Sequence, residues 1–246
     1  MSTALQIGNQ TLNSEDLIPL LARYQLLPQL QREILIDQAI ATFPCTPEEI
    51  AIACQHFYNQ QQITTATEQQ AWLKRHNMQP AELEAIATRK SRIEKFKRAT
   101  WDNKLESYFL KRKGQLDQAI YSLIRIQDAG IAQELYFRLQ AQEQPFAELA
   151  ETYSLGSEAR SGGKVGPSEL GTLHPQLARM LRVSQPGQLW QPTRLGEWFV
   201  IVQLEQIVPA QLNDLMRQRL LNELFETWIQ AQLGQVAEHA PLAQAA

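Results

Sequence analysis

Histidine is scarce in this chain of 246 residues: there are four, His56, His76, His174 and His239, with none between 76 and 174 and none between 174 and 239. Cysteine is scarcer still, with Cys45 and Cys54 nine positions apart and no Cys-x-x-Cys pair. Such scattered ligands offer no clustered metal set, so no structural zinc, no other metal and no cofactor is expected. The two cysteines read as small buried hydrophobes without a redox role. No basic start followed by an apolar run opens the chain, and nowhere do about eighteen apolar residues run together. These absences exclude a spanning helix and any membrane insertion, and they point to a soluble, cytoplasmic protein. A net charge of −3 and a pI near 5.9 give no global electrostatic reason to seek nucleic acid.

Glycine is absent between Gly8 and Gly114, whereas seven of the eleven glycines fall between 156 and 196. That contrast divides the chain into two regimes. The glycine-free half carries apolar residues at three- and four-residue spacing and reads as helical. Ser14 is expected to cap a first helix through Leu17, Leu20 and Leu21. Thr46-Pro47-Glu48-Glu49 is a capping box with proline at the first helical position. Thr67 is expected to cap a helix through Trp72, and Pro80 to begin another. The segment from Arg89 to Lys113 holds ten Lys or Arg against three acids, a local +7. It reads as a solvated face broken by the core aromatics Trp101, Tyr108 and Phe109, and nucleic acid is not expected as its partner.

After Gly114 the pattern changes. Leu116 to Ile126 is β-branched and aromatic and reads as a strand; Ile131, Leu135 and Leu139 mark a helix over 128–141, and Pro145 begins a short one. Glu197 to Leu204 reads as a second strand, apolar enough for burial on both faces. Pro209 stops it. A broad stripe of Leu212, Leu215, Met216, Leu220, Leu221, Leu224, Phe225, Trp228 and Ile229 then defines a final helix that must be covered. The fold class is therefore α+β: a small antiparallel or mixed sheet with flanking helices, inserted into an all-α domain built from N-terminal helices and the C-terminal helix. The expected boundaries are a helical domain over 14–113 completed by 209–235, an inserted unit over 115–208, and tails over 1–13 and 236–246. The exposed stripe also offers a route to a homodimer through the helical domain.

The order of the Tyr-Ser-Leu-Ile strand, Pro-Phe-Ala-Glu-Leu-Ala-Glu-Thr-Tyr-Ser at 145–154, Gly162-Gly163-x-x-Gly166, Pro175, Pro186-Gly187-Gln188-Leu189, Pro192 and a β-rich end resembles a parvulin-type (PpiC, rotamase family) peptidyl-prolyl isomerase domain over roughly 115–208. The helical flanks are similar to SurA-type foldases, where such a part forms a chaperone module. The resemblance implies that the glycines Gly162, Gly163 and Gly166 are architectural, in a turn leading into a central strand. It places the family's first-strand His at Ser122, its loop acid or Cys at Gly156, its Met and first Phe at Leu173 and Leu177, and its second aromatic at Arg182 by strict count, with Leu181 able to fill the same space. The last-strand His falls at Trp198 or Phe199, a one-residue register that stays open. His174 is the remaining substrate contact to weigh.

Both family histidines are thus absent. Rotation about an X-Pro bond crosses a barrier of about 18–20 kcal/mol but needs no nucleophile and no proton transfer. The implied catalytic set is Ser122, Leu173, Leu177, Leu181, Trp198 and Phe199, with Gly156, His174 and Arg182 beside the substrate. The function expected is a peptidyl-prolyl cis-trans isomerase or foldase of parvulin type acting on unfolded or proline-containing polypeptide clients. The alternative is a catalytically inactive parvulin-fold chaperone or peptide-binding scaffold.

Overall fold

The computed structural model describes residues 5–7 and 10–239. The chain divides into two compact units, one of residues 1–105 with 217–246 and one of residues 106–216. These joins differ from the 113/115 and 208/209 breaks expected from the sequence. Both fall inside continuous helices, whose backbone hydrogen bonding gives no local signal of a boundary. Part of the expected N-terminal tail is structured: β1 (Leu5–Ile7) and β2 (Gln10–Leu12) pair as an antiparallel hairpin. The remaining tail positions 1–4, 8–9 and 240–246 lie outside the described residues.

The helical unit contains α1 (Ser14–Arg23), α2 (Leu27–Ile40), α3 (Pro47–Gln60), α4 (Ala66–Arg75), the first part of α5 (Pro80–Leu116) and most of α9 (Asp214–His239). The cap of α1 is Asn13 rather than Ser14, with the Asn13 N–H donating to Asp16. Thr46 and Glu49 close the expected box on α3, Glu49 N–H to Thr46 Oγ1 at 3.3 Å and Thr46 N–H to Glu49 Oε2 at 2.7 Å. The cap of α4 is Thr65 rather than Thr67, because Thr65 has Glu68 three residues on to complete the reciprocal bonds and Thr67 has no such acid. The final helix runs past the expected limit at 235, into the stretch expected as tail, and ends at His239.

Packing of α2, α5 and α9 buries Ile36, Ile40, Phe96, Phe225 and Ile229, with Phe43, Trp101 and Trp228 around them. The Phe96 ring meets Phe43, Trp101, Phe225 and Trp228 at centroid distances from 5.1 to 6.1 Å. Several cations of the basic segment are spent inside this unit. Arg89 reaches Glu33 and Asp37, Arg92 the Ile40 carbonyl, and Lys95 Glu49. Lys97, 3% exposed, meets Glu94 and Asn222 and lies over the Phe225 ring. Cys45 and Cys54 are only half-buried, a correction to their expected burial.

The second unit is an antiparallel sheet of order β4-β3-β6-β5, formed by β3 (Gln118–Ile126), β4 (Lys164–Glu169), β5 (Leu189–Leu195) and β6 (Trp198–Val208). One face packs α6 (Ala129–Gln140) and α7 (Phe146–Tyr153) onto Ile124, Ile126 and Ile201. The other packs α8 (Pro175–Val183) through Leu177, Ala178 and Leu181 onto Ala119, Tyr121, Leu123, Val202 and Leu204. Strands β3 and β6 are therefore central and covered on both sides, which is why β6 reads as an unbroken apolar run. Leu116, expected in the first strand, instead closes α5. The glycine pair leads into β4, an edge strand and not a central one.

Candidate functional site

Side chains alternate across β3, so Tyr121, Leu123 and Arg125 share the α8 face while Ser122, Ile124 and Ile126 take the other. The same alternation puts Trp198 and Val200 of β6 on the α8 face and Phe199 on the α6 face. Register ties these together: Arg125 lies opposite Val200, Val200 opposite Thr193, and Trp198 opposite Leu195. On this face, beside the first turn of α8, lies a cleft of about 590 Å³. Its apolar lining includes Leu123, Val165, Leu177, Leu195, Trp198 and Val200, and its polar side Arg125, Ser157, Glu158 and Ser161. That volume lies within the range of small-molecule and peptide-side-chain sites, about 300–1,000 Å³.

The polar side is built around an ion pair. Arg125 Nε donates to Glu158 Oε1 at 2.9 Å and Arg125 Nη2 to Glu158 Oε2, a two-pronged pairing. Ser154 Oγ donates to Glu158 Oε1 at 2.7 Å and accepts from the Arg125 N–H at 2.9 Å. The Glu158 side chain is 3% exposed and that of Arg125 35%. Burial pushes the Glu158 carboxyl up, but hydrogen bonds from Arg125 and Ser154, a backbone bond and the Arg125 charge together bring it below the ordinary glutamate value. The bond to Glu158 raises the Arg125 guanidinium further. Tyr121 is pushed up by burial, opposed by Arg125.

Gly156 makes this pair possible. A Cβ there would collide with the Glu158 carboxylate and the Arg125 guanidinium. Gly163, at φ 81°, is constrained as tightly: a Cβ would stand 2.9 Å from both the Ala150 Cβ and the Leu123 carbonyl oxygen, while its own carbonyl accepts from the Leu123 N–H at 2.9 Å. Gly162 and Gly166 also have positive φ.

Among the residues singled out by sequence, His174, Leu177 and Trp198 come together on the cleft, and Gly166 lines its edge. His174 caps α8, its Nδ1 accepting from the Gln176 N–H at 3.3 Å. Leu173 packs against the adjoining core and Leu181 is fully buried in it. Ser122 faces away and donates to Glu205 at 2.8 Å, and Phe199 joins the core beneath α6. The Arg182 guanidinium donates to the Gly114 carbonyl and does not line the cleft. Arg125, Glu158 and Leu195 were not singled out. A charged residue in the apolar run Leu123-Ile124-Arg125-Ile126 was the available signal, since a cation there demands a buried partner.

Comparison with known proteins agrees with this architecture. The family model "Rotamase: PPIC-type PPIASE domain" matches residues 125–206. The chain contains a PpiC-type, parvulin domain. No curated protein matches the sequence. Solved structures similar to the chain include the peptidylprolyl isomerase PrsA of Bacillus cereus, at 16% identity, covering 98% of this chain and 93% of that one with a TM-score of 0.51, a likeness of fold. PrsA of Bacillus anthracis matches at 17% identity over 85% of this chain and 97% of that one, TM-score 0.45. The foldase protein PrsA of Streptococcus pneumoniae matches at 14% over 99% and 96%, TM-score 0.46. The matched segment begins at Arg125, so the parvulin domain and the cleft share one set of elements.

Proposed function

We propose that this protein is a peptidyl-prolyl cis-trans isomerase acting on proline-containing segments of polypeptide clients, with a site that works without the two family histidines. The observation that carries this reading is the apolar hollow bounded by Leu177, Leu195, Trp198 and Val200 on a PpiC-type domain. A prolyl ring seated there leaves water, and water is what stabilises the polar planar amide. Any surroundings that bind the twisted bond better than the planar one accelerate its rotation. Polypeptide clients follow from the same reasoning and from the isomerase and foldase names of the similar proteins. The test is the isomerisation rate of an Ala-Ala-Pro-Phe peptide with catalytic amounts of protein. Wild type is expected to exceed the solvent rate and Trp198→Ala to lose about tenfold, the equivalent of ~1.4 kcal/mol of transition-state binding. A wild-type rate equal to that of buffer contradicts the reading.

A second reading, a holding rather than a catalytic role, is favoured by one feature of the helical unit. Leu26, the N-cap of α2, and Leu30 and Ile34 within that helix recur every four residues and stand exposed, as does Ile18 on α1. On this reading the protein suppresses aggregation of an unfolded client, and Leu30→Glu with Ile34→Glu abolishes the suppression while leaving isomerisation unchanged.

A further inference from the structure

When an X-Pro bond twists, the prolyl nitrogen loses its conjugation with the carbonyl and its lone pair becomes a hydrogen-bond acceptor. A fixed donor beside the ring therefore binds the twisted amide better than the planar one, which is a direct source of catalysis. The family's histidines are missing here, so another residue of the cleft has to supply any such donor.

The polar residues of the cleft differ in what they have left to give. Ser161 Oγ is committed to the carbonyls of Glu158 and Lys164 at 3.0 and 2.8 Å. Lys164 and Ser157 also line the cleft, but neither side chain makes a hydrogen bond among the described residues that would hold it in one place before substrate arrives. Tyr121 is 3% exposed, and His174 lies on the cleft with its Nδ1 taken by the Gln176 N–H. Arg125 is different in three respects. It points into the cleft from the same face of β3 as Leu123, and it stands directly opposite Val200, one cleft-facing position from Trp198. Its Nε and Nη2 are anchored on a carboxylate that is itself buried and held by Ser154, so the planar fork is fixed before any substrate arrives. Its Nη1, with two N–H groups, makes no hydrogen bond among the described residues, and the side chain keeps 35% of its surface.

We propose that Arg125, clamped by Glu158 and given room by Gly156, is the catalytic hydrogen-bond donor that engages the prolyl nitrogen as the X-Pro bond twists. The assignment rests on the reading of the cleft as a prolyl site. No proton changes hands: the guanidinium remains protonated throughout and only a hydrogen bond is made and released. Glu158 is a positioning residue, since it reaches the substrate only through Arg125.

Two measurements on the full-length protein test this. The first is kcat/KM of wild type for the Ala-Ala-Pro-Phe peptide between pH 5.5 and 9. Arginine does not titrate there and Glu158 titrates lower still, so a flat profile is expected. A profile with a midpoint in the imidazole range, about 6.5, overturns the assignment. The second is Arg125→Lys, which keeps a cation against Glu158 but loses the fork. It is expected to lose about tenfold or more in kcat/KM, carried by kcat with KM nearly unchanged, the signature of a contact made only in the transition state. The Trp198 indole N–H resonance at its wild-type position in the spectrum of the labelled variant serves as the check that the cleft is intact. Activity of this variant within twofold of wild type overturns the role of Arg125 and leaves the prolyl site standing. Wild type no faster than buffer removes the prolyl site and the Arg125 assignment together.

Discussion

Glu158 shows how one buried acid ties stability to pH. Its carboxyl lies below the ordinary glutamate value in the folded protein, so it stabilises the fold wherever it is ionised. That contribution is fully present above the ordinary value of about 4.3 and is lost as pH falls through the lowered one. Glu158→Gln removes the charge and leaves Arg125 without its counterion. It is expected to cost about 1–3 kcal/mol at pH 7 in denaturant unfolding, and to flatten the loss of stability of wild type below pH 4. Equal acid sensitivity in the two proteins would contradict the pairing. At this scale the sequence was legible in part. Leu177 and Trp198 reach the cleft, as the resemblance implies for a Phe and a His position. Ser122 and Phe199 do not, because in a strand a slip of one residue turns a side chain to the opposite face. Arg125 and Glu158 stand 33 residues apart and meet only after α6 and α7 have folded between them, so no local pattern announces their pairing.

Among the elements, the strongest sequence signals were the caps and the weakest were the edge strands. The Thr46 box on α3 satisfies otherwise orphaned N–H groups, and Thr46→Ala is expected to cost about 1 kcal/mol by thermal or denaturant unfolding. The Thr65 cap was misplaced by two residues because Thr64, Thr65 and Thr67 all precede the same apolar face, and only the distance to Glu68 separates them. Strands β4 and β5 each contain a proline, Pro167 and Pro192, which removes an N–H and makes an edge strand read as loop. Gly163 binds the turn before β4 to β3 and α7. Gly163→Ala is expected to destabilise the parvulin domain by about 1–3 kcal/mol, since its φ and the Ala150 and Leu123 contacts both oppose a side chain. A neutral effect in unfolding experiments would show that the turn relaxes freely.

For the whole molecule, glycine distribution separated a helical part from an α+β part, and the joins proved hardest to read because α5 and α9 run through them. The local +7 of residues 89–113 looked like a single charged face, whereas Arg89, Arg92, Lys95 and Lys97 hold neighbouring helices together. The helical unit depends on aromatic packing around Phe96. Phe96→Ala is expected to lower its stability by about 3–5 kcal/mol, visible as loss of helical signal. The central claim concerns the cleft, and it is tested most directly by nuclear Overhauser contacts between a bound Ala-Pro peptide and the labelled protein. The account predicts contacts from the prolyl ring protons to the Trp198 indole and the Leu177 methyls. Contacts confined to the opposite face of the sheet, at Phe199 or Ser122, or none at saturating peptide, would contradict it.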